Sequence, residues 1–406
     1  MSAVEALPPT VRLFHIGPQK TGTTALQTAA AAQRPQLMAH GVLYPGRAVN
    51  HRLAVASLVG KTIGLKAASD GTPTQPPPRR YWNDLVAEVN RYPDRRAWFG
   101  HEYAAGATTS VIREVHDTFG DDLHILITLR SVARMLPSIW QETNKAAGNR
   151  GTFDRWLRHA FTPGAKVNVI VQTRHDQGAL VRRWADVVGR ENVTVVVLNP
   201  RDHDFLPHTV EQLLGLPVGL LAMAEREEHA VNRSLTAPEV ELFRQFNRRF
   251  RGYDTTPREH ELVMIRGMVP RVLGYREPPS GEPRLAMPDW AADLADDAAL
   301  RNADAVAASG VRVIGDLDHL RLPAHRRREP GEDHRSVTCV PVDLAVEAML
   351  GVAAVALGRD AGFARSPERP MSLASVPVKE LAAELSRRGA GRVVRLVRRR
   401  FGRVKS

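Results

Sequence analysis

The chain has 406 residues, 43% of them hydrophobic and 25% charged, which describes an ordinary globular protein and excludes disorder throughout. A single cysteine excludes an intramolecular disulfide and a thiolate zinc cage, and the start MSAVEALPPT lacks the basic and apolar regions of a signal peptide, so a cytoplasmic protein is expected. The net charge of +12 is concentrated at one end: residues 386–406 hold nine cations and no acid, so the rest of the chain carries only +3 and offers no broad nucleic-acid face, though a local anion pocket fits.

In chain order, the apolar run VRLFHI (11–16) predicts a strand that enters the loop Gly17-Pro18-Gln19-Lys20-Thr21-Gly22-Thr23-Thr24, and Ala25 to Gln33 reads as the helix that follows. Residues 69–80, with four prolines, read as a surface loop. Trp82, Leu85, Val86 and Val89 recur at helical spacing, and AWFG (97–100) reads as a strand ending at His101-Glu102. LHILITL (123–129) is a third strand, ending at Arg130 and leading into a helix through Trp140 with an irregularity at Pro137. VTVVVL (193–198) is a fourth. Strands that are apolar on both faces and separated by helices predict an α/β, P-loop-like three-layer fold, with a central parallel sheet flanked by helices and ligands bound where the strands end.

VNRSLTAPEVELFRQFN predicts a capped helix, GVRVIGDL a short late strand or turn, and residues 342–357 one more apolar helix. Composition shifts at RRREPGEDHRS, which places a domain over 10–325 and a C-terminal extension with a basic tail over 326–406. Cys339 reads as a small buried residue. In the tail, Val393, Val397, Phe401 and Val404 share a stripe opposite arginines, the pattern of a helix that lies on an anionic membrane surface.

Gly17 and Gly22 have the spacing of a phosphate-binding loop, in which backbone N–H groups and a helix N-terminus face the anion. The lysine, however, is Lys20 within the loop, and Thr23 stands where a nucleotide kinase carries it. The strands LHILITL and VTVVVL end in Arg130 and Asn199-Pro200, with no carboxylate placed to hold Mg²⁺. A smaller anion held without metal is expected, and no histidine spacing suggests a metal site.

The segment IGPQKTGTT after a strand resembles the 5′-phosphosulfate loop of sulfotransferases that use 3′-phosphoadenosine 5′-phosphosulfate (PAPS). LRSVARMLPSIWQE resembles that family's second signature, in which an arginine and a serine eight residues later hold the 3′-phosphate, here Arg130 and Ser138; Val132 stands where a proline is common. RHDQGALVRRWADVVGRENVTVVVL and GVRVIGDLDHL extend the similarity to bacterial carbohydrate-type members. The resemblance implies a PAPS-dependent enzyme acting on a small-molecule or glycan hydroxyl, with the donor held by Gly17, Lys20, Thr21, Gly22, Thr23, Thr24, Arg130 and Ser138. Lys20 would stabilise the leaving phosphate, and AWFGHEY resembles the segment that carries a catalytic glutamate, which favours Glu102 as the base over His101. Two other readings compete: a P-loop nucleotide-dependent kinase, and a non-catalytic membrane-associated nucleotide-binding module.

Overall fold

The computed structural model describes residues 4–63, 75–145, 151–165, 176–222, 233–250, 252, 253, 255–321, 337 and 339–359. The basic tail and the composition shift near 326 lie outside them.

Six strands form one open parallel sheet: β1 Arg12–Ile16, β2 Val42–Leu43, β3 Arg96–Phe99, β4 Leu123–Leu129, β5 Val193–Val197 and β6 Arg312–Ile314. Their spatial order is β2-β3-β1-β4-β5-β6, with Phe14 level with Phe99 and Ile16 level with Ile127. Every residue of β1, β4 and β5 is buried, as continuous apolar runs in a two-sided parallel sheet require. β2, two residues long, is too short to show periodicity and was not expected from the sequence.

Alternation along each strand feeds two cores. Leu13, Trp98, Leu126 and Val196 point to the face covered by α1 (Thr23–Ala32), α2 (Arg34–Ala39) and, further along the chain, the helix Phe205–Leu214. Phe14, Ile16, Phe99, Ile125 and Val195 point to the opposite face, covered by α3 (Arg52–Leu58), α4 (Arg80–Asn90), α5 (Thr109–Phe119) and the helix Gln177–Val188. At the centre of that face Phe14 stacks on Phe99 at 5.3 Å and meets Trp184 edge-on at 5.7 Å, contacts that add specificity to the buried area.

The helices after β4 run in chain order α6 (Val132–Lys145), α7 (Phe153–Phe161), α8 (Gln177–Val188), α9 (Phe205–Leu214), α10 (Ala237–Phe250), α11 (Pro257–His260), a π-helical stretch Glu261–Met268, α12 (Val269–Tyr275), α13 (Asp289–Ala308) and α14 (Val342–Ala356). Of these, α8 and α9 are the two sheet-covering helices, and a third core is formed by residues of α6, α7, α10, the π-helical stretch, α12, α13 and α14. Thr236 caps α10 reciprocally: its N–H donates to Glu239 at 2.9 Å and its hydroxyl accepts from the Glu239 N–H at 3.4 Å. The buried Glu239 carboxylate also binds Arg233 at 2.7 Å and Arg276 at 2.8 Å, and Arg276 reaches Glu282 and, on α14, Asp343 at 2.7 Å. A buried charge network of this kind is tolerable because each ion is paired. α14 thus packs within the compact unit Met1–Ala361. Cys339, just before α14, is exposed, which corrects the expectation that it is buried.

Candidate active site

The chain leaves β1 for α1 on one face of the sheet, whereas its neighbour β3 leads to α5 on the other face and its neighbour β4 leads to α6. A crevice at the carboxyl end of β1 follows from this divergence. Every expected site residue belongs to the segments that end there.

The loop is shaped by close approach. A Cβ on Gly17 would stand 2.4 Å from Thr128 Oγ1 and 2.8 Å from the Thr128 carbonyl oxygen of β4, so only glycine fits. Thr21 is fully buried and donates to the Pro18 carbonyl at 2.9 Å while lying 2.9 Å from Thr128 Oγ1, so its side chain fixes the loop from beneath. Lys20 has φ 71° and Gly22 φ 79°. Lys20 is the one non-glycine with positive φ among the described residues, a conformation that costs about 1–2 kcal/mol. Left-handed residues in such a loop bend it into the kind of concavity whose N–H groups bind anions. Gly22 then caps α1, Thr23 is buried as its first residue, and Thr24 is exposed in the first turn, where helix N–H groups have no intrahelical acceptor.

Arg130 ties the second segment to the first. Its Nη1 donates to the Lys20 carbonyl at 2.9 Å, and its own carbonyl accepts from Gln177 Nε2 at 2.6 Å. Ser138 lies half-buried on α6, two turns into the helix that Val132 begins. Ser131, beside Arg130, is 1% exposed and its hydroxyl has no hydrogen-bond partner among the described residues. A buried hydroxyl without a partner is uncommon and leaves Ser131 with a hydrogen bond to give beside the loop.

β3 brings in the third segment. Gly100 has φ 150°, and a Cβ there would lie 1.9 Å from the His15 carbonyl oxygen, so the chain passes under β1 only as glycine. The Gly100 N–H donates to His51 Nδ1 at 3.2 Å, which leaves His51 Nε2 to donate to the Pro45 carbonyl at 3.0 Å. The next two residues separate in role. His101 is buried, and its Nδ1 accepts the Tyr103 N–H at 3.2 Å, capping the short 3₁₀ turn Glu102–Gly106. Burial, reinforced by the positive charges of Arg52, His51 and Lys61, depresses its pKa to about 3, so its ring is neutral and weakly basic. Glu102 is half-buried and turns toward the β1–α1 loop, where its Oε1 accepts from Gln19 Nε2 at 2.9 Å.

Lys20 Nζ pairs with Glu142 Oε1 at 2.8 Å, and the same oxygen accepts from Lys145 at 2.9 Å. Two distant segments therefore converge on Lys20 and Gln19 in the loop: Arg130 just after β4 with Glu142 on α6, and Glu102 in the turn after β3. Gln19, Ser131 and Glu142 were not singled out from the sequence. The spacing of Glu142, four residues after Ser138 and so on one face of α6, was the available signal.

Among solved structures, the chain is similar to the crystal structure of a sulfotransferase from Alicyclobacillus acidocaldarius, 18% identical, with a TM-score of 0.36, over 60% of this chain and 93% of that one. No protein-family model matches, and no curated protein matches.

Proposed function

We propose that the chain is a sulfotransferase that moves a sulfuryl group from PAPS to a hydroxyl acceptor, a carbohydrate, glycolipid or other small metabolite. The observation that carries this reading is the convergence of a fixed cation, an anion loop and a carboxylate: Arg130 holds the Lys20 carbonyl while Gln19 in the same loop holds Glu102.

The residues fit the donor. The concavity made at Lys20 and Gly22, closed below by Gly17 and Thr21, suits the phosphosulfate end, and Arg130 with Ser138 suits the 3′-phosphate. When bound, PAPS supplies an activated sulfuryl group whose departure leaves negative charge on a phosphate. Lys20 Nζ, carried on a left-handed residue, is the cation positioned to meet that charge. Glu102 takes the proton of the acceptor hydroxyl, and Gln19 fixes the rotamer in which it does so. His101 contributes by shaping the turn that presents Glu102, since its Nδ1 is occupied and its basicity is low.

A nucleotide kinase is the competing enzyme class. It would place a lysine at position 23, where this chain buries Thr23 as the first residue of α1, and an acid at a strand end, where this chain has Arg130. Calorimetric titration with adenosine 3′,5′-bisphosphate and, separately, with ATP and Mg²⁺ separates the two. Tight binding of the bisphosphate with weak binding of ATP supports the sulfotransferase reading, and the opposite order overturns it.

A further inference from the structure

Glu142 stands where an incoming anion would have to stand. Its Oε1 lies 2.8 Å from Lys20 Nζ and 2.9 Å from Lys145 Nζ, so one carboxylate oxygen is shared by a loop lysine and a lysine one turn further along α6. Burial opposes its charge, but Lys145 and Lys20 together hold Glu142 below the ordinary carboxylate range, so it is ionised at neutral pH. A second anion arriving at Lys20 would meet this carboxylate at contact distance, where like charges repel strongly.

We propose that Glu142 is an internal counter-ion that occupies Lys20 in the donor-free protein and yields it to the donor's anionic end, remaining paired with Lys145 as it does so. The inference rests on the reading of the loop as the donor site and adds a residue that sets the affinity and selectivity of that site. Two features of the geometry support exchange over a permanent bridge. Glu142 is 46% exposed and Lys20 36%, so their pair is a partly solvated one that contributes little to stability and separates cheaply. Lys145 is only 18% exposed and shares the helix with Glu142, so it is the better-fixed of the two partners. While Glu142 holds Lys20, the left-handed loop stays ordered and its positive charge is masked from adventitious anions. Only a ligand that also engages Arg130, at the other side of the Lys20 carbonyl, gains enough to displace the carboxylate.

The test is titration of adenosine 3′,5′-bisphosphate into the full chain and into four variants, with thermal melts to check folding. Glu142→Gln should bind about threefold to tenfold tighter, because it keeps the shape and removes the competing charge. Glu142→Asp keeps the charge but withdraws it by one methylene from Lys20, and it should also bind tighter. Lys145→Met, which leaves Glu142 with Lys20 alone, should bind about threefold to tenfold weaker, and Glu142→Gln/Lys145→Met should match Glu142→Gln. If Glu142→Asp binds like the wild type while Glu142→Gln binds tighter, the effect is a through-space field and the exchange is wrong. Weaker binding by Glu142→Gln would make Glu142 part of the site that receives the ligand, which also overturns the proposal. Failure of the wild type and every variant to bind would refute the donor reading itself, and this inference with it.

Discussion

The guanidinium of Arg130 grips the main-chain carbonyl of Lys20 at 2.9 Å, joining two segments that are 110 residues apart in sequence. The contact supports Lys20 in a backbone conformation that a non-glycine residue adopts only at a cost, so the arginine proposed for the 3′-phosphate also fixes the lysine proposed for the leaving group.

Replacing either residue should therefore give different but overlapping losses. Lys20→Ala should lower kcat by about a hundredfold with donor affinity changed far less, as expected for a group that acts on developing charge. Arg130→Ala should weaken donor binding by about tenfold or more and also lower kcat, since the Lys20 carbonyl loses its anchor. Arg130→Lys should recover part of the binding and little of the turnover, because a single ammonium does not reproduce the guanidinium's geometry. Steady-state kinetics with varied PAPS separates these outcomes; equal kcat for Arg130→Ala and wild type would remove the mechanical link.

Glu102→Gln preserves an oxygen for the Gln19 contact and removes only basicity. Transfer should fall by about a hundredfold or more with donor binding nearly unchanged. His101→Asn keeps an acceptor for the Tyr103 N–H and should lose little. A large loss for His101→Asn with none for Glu102→Gln would reverse the two roles.

Much of this arrangement was legible in the sequence. The runs at 11–16, 123–129 and 193–198 announced β1, β4 and β5 because strands buried on both faces need no alternation, and the segment VNRSLTAPEVELFRQFN announced a capped helix, which the structure starts at Ala237 with Thr236 and Glu239 bonded to each other. The loop, Arg130 and the His101-Glu102 turn were legible from position at strand ends. Glu142 and Gln19 were not, because their partners are 122 and 83 residues away and the pairing depends on the direction that the left-handed Lys20 gives its side chain. The helical layer was partly hidden for a similar reason: Arg276 joins Glu239, Glu282 and Asp343 through tertiary contacts that no local spacing encodes.

Gly100→Ala tests whether the third segment depends on its close passage under β1. The new Cβ would stand 1.9 Å from the His15 carbonyl oxygen, a backbone atom with no easy retreat, at φ 150°. A loss of about 3 kcal/mol or more, or failure to fold, is expected. Gly41→Ala is the comparison: its φ is also positive, at 79°, but nothing lies within 4 Å of the added Cβ, so only about 1–2 kcal/mol should be lost. Equal melting temperatures for the two variants would show that the passage relaxes freely.

Stability should fall on acidification in a defined window. Burial depresses His15, His51 and His124 from 6.5 to about 4 and, with nearby cations, His101 to about 3. Between pH 6.5 and about 4 the unfolded chain therefore binds protons that the folded chain refuses, so unfolding free energy rises with pH across this window, and these histidines add no slope above it. Urea unfolding at pH 5 and pH 7 should show the difference, and His124→Gln should reduce it. An unchanged slope in that variant would show that His124 is protonated in the folded state.

The most direct measurement is group transfer itself: the full chain incubated with a panel of carbohydrate, glycolipid and small hydroxyl acceptors, in parallel with ³⁵S-labelled PAPS and with γ-labelled ATP and Mg²⁺. Label should pass from PAPS to at least one acceptor, release adenosine 3′,5′-bisphosphate, and drop by about a hundredfold in Lys20→Ala and in Glu102→Gln, with no transfer from ATP. Transfer from ATP with none from PAPS, or transfer from PAPS that survives both substitutions, would contradict the assignment of this loop and its carboxylate.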